Sequence, residues 1–70
     1  MNAEDLRSLP EADLRARIAE LEEERFRLQF RSATEPLEDP LRLRVIRRDI
    51  ARLKTVLREQ QLAKQGTNNG

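Results

Sequence analysis

A proline-rich turn divides this chain into two long helical segments and limits the fold more than any other feature. Residues 34–40 contain Pro36 and Pro40, and proline both lacks an amide donor and restricts the residue before it. Helical periodicity runs up to this segment and resumes after it. We therefore predict an all-α protein in which two long helices, joined by a turn over residues 34–39, form an antiparallel hairpin.

Residues typical of helix termini mark the start of each long segment. Ser8 and Glu11 match a capping box, in which each side chain accepts a hydrogen bond from the other residue's amide. Asp39 followed by Pro40 is typical of an N-cap and a first helical position. The sequence thus predicts long helices over about residues 9–33 and about residues 40–62.

The remaining segments are short. Ala3 to Arg7 is predicted to form one extra helical turn, with Leu6 packed against the hairpin. We expect residues 1–63 to form a single domain with three helices, and residues 64–70 to form a flexible tail.

One stripe of aliphatic side chains follows each long helix, at the spacing of a buried helix face. Facing stripes at near-heptad spacing favour packing at a shallow angle, as in a coiled coil. So small a core predicts marginal stability in isolation, with a large partner contributing to the final order. The predicted stripes are Leu14, Ile18, Leu21 and Leu28 on the first helix, and Leu43, Ile46, Ile50, Leu53 and Leu57 on the second.

The amino-acid composition argues against several classes of function. The 70 residues include no cysteine and no histidine, which leaves no disulfide, no thiolate metal site and no imidazole for acid–base chemistry. A chain of this length also has little room for a catalytic cleft. No secretory signal opens the sequence, and no apolar run approaches the roughly 20 residues of a membrane span. We predict a cytoplasmic protein that is not an enzyme and that uses no cofactor or metal.

The charge is unevenly distributed. The formal net charge is only +1, yet residues 1–39 hold 11 acidic and six basic side chains, whereas residues 40–70 hold eight basic and two acidic ones. A net of −5 is therefore followed by a net of +6. Such asymmetry indicates that any polyanion binds the C-terminal half.

One face of the second helix combines long cations with small residues. Arginine forks that flank small side chains allow a phosphate backbone to approach the helix closely. The alternative is a solvated basic face, or an ion-pair seam in which Glu20, Glu22, Glu23 and Glu24 pair with Arg52, Lys54 or Arg58. The candidate residues for binding such a polyanion on this helix are Arg44, Arg47, Arg48, Ala51, Arg52, Lys54, Thr55 and Arg58, and Arg27 and Arg31 extend the zone near the turn.

Phe26 and Phe30, the only aromatic residues, lie away from the aliphatic stripe of the first helix, beside Ala19 and Ala33. Two interpretations stay open. The rings pack on the turn and Leu37, or they contact a neighbouring protein or RNA, as exposed apolar patches often do.

Several of these segments resemble a known family. The run from Glu24 to Pro40 and the run Arg47-Arg48-Asp49-Ile50-Ala51-Arg52, followed by Lys54-Thr55-Val56-Leu57-Arg58, closely resemble universal large-subunit ribosomal protein twenty-nine in its bacterial form. The likeness extends over nearly the whole chain. The chain departs from the family pattern at Arg27, Gln29 and Arg31, and at Glu35-Pro36 in the turn.

The resemblance implies a structural constituent of the large ribosomal subunit, with a short helix before a long hairpin. It implies binding to 23S-type rRNA near the nascent-chain exit tunnel, a neighbour in large-subunit protein twenty-three, and contact with nascent-chain factors there. Phe26 and Phe30 are the candidate protein-partner contact. The alternative from the stripes alone is a protein-interaction module that forms a homodimeric four-helix bundle.

Overall fold

Three helices make up the computed structural model, which describes residues 3–36 and 39–69. They are α1 (Ala3–Arg7), α2 (Glu11–Ser32) and α3 (Pro40–Asn69). Helix α3 packs against both α2 and α1, and the molecule measures 54 × 19 × 15 Å along its principal axes. The predicted all-α class and the long helical hairpin are confirmed.

The start of α2 differs from the predicted capping box. No side chain caps the helix, whose N-cap is Pro10 in an extended conformation. The Ser8 hydroxyl instead donates to the carbonyl oxygen of Asp5 over 2.8 Å. That bond satisfies a carbonyl at the end of α1, so Ser8 closes the short helix and the capping-box prediction is wrong.

The end of α2 needs no glycine. The amides of Thr34 and Glu35 both donate to the Arg31 carbonyl over 3.0 Å, and the Thr34 hydroxyl donates to the same oxygen. Tightened bonds of this kind satisfy the last carbonyls of a helix. Residues 37 and 38 lie outside the described part of the chain, so the expected contact between the phenylalanine rings and Leu37 does too.

Helix α3 begins at Pro40 as predicted but extends to Asn69, past the predicted end near residue 62 and into the segment predicted as a tail. Gln60, Gln61, Ala63 and Lys64 are good helix formers, and a single glycine at position 66 costs only about 1 kcal/mol. Helical backbone therefore continues where the sequence pattern had lost its aliphatic stripe.

The core lies along the seam between α2 and α3. Its most deeply buried side chains are Leu14, Leu21, Ile46 and Leu53, and Leu28 and Leu57 pack against it while partly exposed. Leu43 is only partly buried. The predicted stripe residues therefore form the seam or pack against it, except Leu43, which lines the turn end of α3 outside the core.

Two core residues come from the contact between α1 and α3. Leu6 is buried as predicted, and Val56, which the stripe omits, is 3% exposed. Val56 and Arg7 line the same groove, so Val56 faces the side of α3 against which α1 packs. The side-chain amide of Gln60 donates to the Leu9 carbonyl over 2.9 Å and ties the α1–α2 connection to α3.

Ion pairs across the hairpin align the two long helices. The Arg42 guanidinium donates two hydrogen bonds to Glu24, at 2.7 and 3.0 Å. At the opposite end, the Lys64 ammonium and the Gln61 amide reach Glu11 at 3.3 and 3.4 Å. These contacts hold α3 in one register along α2.

Replacing a seam residue should unfold the protein, whereas replacing an exposed leucine of the same helix should not. Leu53→Ala should lower the free energy of unfolding by about 2 to 5 kcal/mol, because it leaves a cavity. Leu41→Ala, at a side chain that is 62% exposed, should change it by less than about 0.5 kcal/mol. Urea unfolding followed by circular dichroism, with trimethylamine oxide added to populate the folded state, measures both. Equal effects would mean that the seam is misassigned.

Stability should fall in acid. Hydrogen bonds from Arg42 hold the pKa of Glu24 below its ordinary value of 4.5, and those from Arg15, then Lys64, do the same to the pKa of Glu11. A carboxyl with a lowered native pKa stabilises the fold above its unfolded pKa, and this contribution is lost as pH falls through the native value.

Glu24→Gln should therefore be less stable than the wild type at neutral pH, and the difference should shrink as the pH falls below 4.5, the ordinary pKa of the carboxyl. Thermal unfolding measured across that range tests this. Glu23→Gln, at an exposed neighbour, serves as the control. A Glu24→Gln deficit of the same size at every pH would contradict the prediction.

Candidate nucleic-acid interface

The cationic face of α3 exists because the opposite side of the same helix is buried. Ile46, Ile50 and Leu53 face the seam, and residues about half a turn away from them point outward. All eight predicted residues of this face are exposed, namely Arg44, Arg47, Arg48, Ala51, Arg52, Lys54, Thr55 and Arg58. We call this set the α3 face.

Three of the six acidic side chains of α2 form ion pairs away from the α3 face. Glu22 lies 3.1 Å from Lys54, as the ion-pair alternative expected, but Glu24 pairs with Arg42 and Glu20 with Arg17. These pairs lie at the surface, fully or partly exposed, and contribute little stability. Glu22 neutralises Lys54 of the α3 face, whereas Glu20 and Glu24 neutralise arginines outside it.

Four arginines of the α3 face have no carboxylate partner in the part of the chain that the structure describes. Within residues 3–36 and 39–69, no carboxylate lies within ion-pair distance of Arg44, Arg47, Arg48 or Arg58. A guanidinium is always charged and presents donors in a fork that matches phosphate oxygens. The electrostatic requirement for a polyanion site is therefore met on this face.

Two shallow grooves flank α3. The first, of about 530 Å³, lies at the turn end and is lined by Gln29, Pro40, Leu43, Arg44, Arg47 and Arg48. The second, of about 250 Å³, lies beside α1 and is lined by Arg7, Arg48, Ala51, Arg52, Thr55, Val56 and Glu59. We call them the turn groove and the α1 groove. Arg48 lines both, so it sits at the junction of two adjoining concave surfaces.

Thr55 has a structural use for its hydroxyl. The side chain donates to the Ala51 carbonyl of its own helix over 2.9 Å. The hydroxyl proton is therefore used within the helix, and Thr55 contributes only a small side chain to the α3 face. With Ala51, it leaves space between the long arginine side chains.

The two arginines predicted on α2 occupy a different place. Neither Arg27 nor Arg31 lines either groove, and the Arg31 guanidinium lies 3.7 Å from Glu35. The α2 residue that does line the turn groove is Gln29. The structure thus brings the α3 residues together with Gln29 and not with Arg27 or Arg31.

Arg7 is a groove residue that the sequence pattern missed. It lies 3.3 Å from Glu59 of α3 and lines the α1 groove. The only signal in the sequence was its position directly after Leu6. That signal is informative only once α1 is known to pack on α3.

The two phenylalanines project outward from α2. Phe26 is 68% and Phe30 72% exposed, and their rings stack with centroids 6.3 Å apart. The pair therefore forms a small exposed aromatic patch and buries little area on the hairpin.

Two other kinds of site find no support in the described residues. No helix there is both long and apolar enough to span a bilayer, and no three acidic side chains gather as metal ligands would.

The fold and this surface define a small helical-hairpin protein with a cationic outer face. The family model described as ribosomal L29 protein matches residues 4–60. The "Large ribosomal subunit protein uL29" of Gemmatimonas aurantiaca is 70% identical over 66 residues, which cover 94% of this chain and 98% of that protein. Proteins of the same name from Natranaerobius thermophilus and from an Exiguobacterium species are each 47% identical, over 89% and 100% of this chain and 95% and 100% of their own lengths.

The chain therefore belongs to the ribosomal L29 protein family, which confirms the resemblance seen in its sequence. The family is one of structural ribosomal proteins, not of enzymes.

Removing both aromatic rings should leave the free protein as stable as before. The double variant Phe26→Gln/Phe30→Gln replaces exposed side chains with good helix formers, so its unfolding midpoint should match the wild type. Leu28→Gln, at a residue packed on the core, should lower the midpoint clearly. If the double variant loses as much stability as Leu28→Gln, the rings pack on the turn after all.

Proposed function

We propose that this protein is a structural constituent of the large ribosomal subunit that binds 23S-type rRNA through the α3 face, near the nascent-chain exit tunnel, and that it has no catalytic role. The observation that carries the proposal is a set of arginines with no carboxylate partner among the described residues, of which Arg48 lies at the junction of two grooves. The set is Arg44, Arg47, Arg48 and Arg58. Membership of the family supports the ribosomal setting, and with it the cytoplasm.

Shape favours a nucleic-acid partner. Ala51 and Thr55 have short side chains in the middle of the α3 face, whereas the side chains of Arg44, Arg48 and Arg52 extend farther from the helix. A sugar–phosphate backbone lying along the helix would meet guanidinium groups on both sides. Such contacts position RNA without reading its sequence. On this proposal Arg27 and Arg31 act as additional cations at the turn end, outside the grooves.

The aromatic patch is assigned to a protein neighbour, which in this family is large-subunit protein twenty-three, at a site that also meets nascent-chain factors. Two stacked, exposed rings are costly to leave in water and are typical of a contact surface. The α3 face and the patch lie on different helices, so the hairpin would hold RNA and protein at once.

Salt dependence tests the RNA assignment. Each neutralised phosphate releases counterions, so affinity for large-subunit rRNA should fall steeply with salt. Arg48→Gln should weaken binding about tenfold and reduce the salt slope by about one. Arg17→Gln removes the same charge from α2, at an arginine paired with Glu20, and should change neither. Filter binding over a salt series measures both quantities.

A flat salt profile in the wild type would overturn the proposal, and so would equal effects of Arg17→Gln and Arg48→Gln. A stable dimer in analytical ultracentrifugation, with no affinity for rRNA, would favour the homodimeric bundle instead.

A further inference from the structure

We infer that the α1 groove is a subsite for one nucleotide of the bound RNA, and that Arg7 of the short helix is one of its phosphate-binding residues. This inference rests on the proposed function. It adds a residue outside the α3 face, and it gives α1 a role in recognition beyond covering the core.

Helix α1 is held firmly enough to place Arg7. Leu6 is 4% exposed and belongs to the main core, and the amide of Leu9 donates to the Leu6 carbonyl over 3.1 Å. The side-chain amide of Gln60, on α3, donates a hydrogen bond to the Leu9 carbonyl. Arg7 therefore lies between the buried Leu6 and a connection that is hydrogen-bonded to α3, so its backbone is fixed beside α3.

The groove combines an apolar floor with a cationic rim. Ala51, Val56 and Thr55, whose hydroxyl proton is used within the helix, form the floor. Arg7, Arg48 and Arg52 line the same groove from two helices. A bare inorganic anion would gain nothing from such a floor, whereas a nucleotide places its ribose and base face on apolar surface and its phosphate against guanidinium groups.

Glu59 explains how Arg7 behaves before RNA arrives. Its carboxylate lies 3.3 Å from the Arg7 guanidinium, and both side chains are about half exposed. An exposed pair of this kind is weak, so a phosphate can compete for Arg7. Glu59 thus keeps the cation at the rim of the groove, yet its own charge opposes the incoming phosphate.

This arrangement predicts opposite effects for the two partners of one ion pair. Arg7→Ala should weaken binding of the full chain to large-subunit rRNA about fivefold and lower the salt slope. Glu59→Gln breaks the same pair but removes a negative charge, so binding should stay equal or tighten. If the pair mattered only for folding, both variants would bind more weakly, and that result would overturn the inference.

Filling the floor gives an independent test. Ala51→Leu should weaken binding while leaving the circular dichroism spectrum unchanged, since the position is exposed on a helix. Ala16→Leu makes the same change at an exposed position of α2 and should have no effect on binding. Equal affinities for Ala51→Leu and the wild type would contradict an occupied groove.

Failure of the inference and failure of the proposed function are distinguishable. If Arg48→Gln weakens binding and Arg7→Ala stays within about twofold of the wild type, only the subsite is wrong. If the wild type shows no salt-dependent affinity for rRNA, the proposed function itself fails.

Crosslinking separates RNA from an acidic protein as occupant. Glu59→p-benzoylphenylalanine places a photoreactive group at the rim of the groove in assembled large subunits. Crosslinks to rRNA are expected, and crosslinks to protein alone would overturn the assignment.

Discussion

The aliphatic seam between α2 and α3 fixes the rotation of both helices, and the rest of the surface follows from it. Once Ile46 and Leu53 are buried, the 3.6-residue repeat leaves Arg44, Arg48 and Thr55 on the outer side of α3. A rotation of α3 by one residue, about 100°, would expose part of the seam and turn some of these arginines inward, unpaired. Burial of apolar area therefore decides which side chains are available to a partner.

Charge distribution complements this geometry. Four of the six acidic side chains of α2 form ion pairs, among them Glu24 with Arg42 near the turn and Glu11 with Lys64 at the far end. A protein with a formal net charge of +1 thus gathers several arginines on one side of α3, with Glu59 at the edge of the α1 groove. The local arrangement of charge therefore says more about a binding surface than the total charge does.

The sequence predicted what depends on local patterns. Prolines at 36 and 40 and the aliphatic repeats determine the helices and the seam, so the hairpin and the exposed α3 residues followed from them. The capping box failed because the Ser8 hydroxyl has two competing partners nearby, the amide of Glu11 and the carbonyl of Asp5, and its bond to the Asp5 carbonyl closes α1. Val56 and Arg7 were missed because their surroundings depend on where α1 packs, which is a contact more than 40 residues apart in sequence. The place of Gln29 in the turn groove could not be predicted for the same reason. A helical wheel does not show which side of α2 forms a groove with α3.

Arg48 lies on the α3 face at the point where the two grooves adjoin. A strand of RNA that crosses α3 obliquely would enter at the turn groove, pass Arg48 and leave by the α1 groove, touching all three helices through Gln29, Arg48 and Arg7. A ligand that contacts several elements of a marginal fold, and binds only the folded form, stabilises it by RT ln(1 + [L]/Kd). Since Leu6 and Gln60 already hold α1 against α3, RNA that spans both grooves would stabilise an arrangement that the free protein has formed. The α2–α3 seam provides the scaffold on which both grooves are formed.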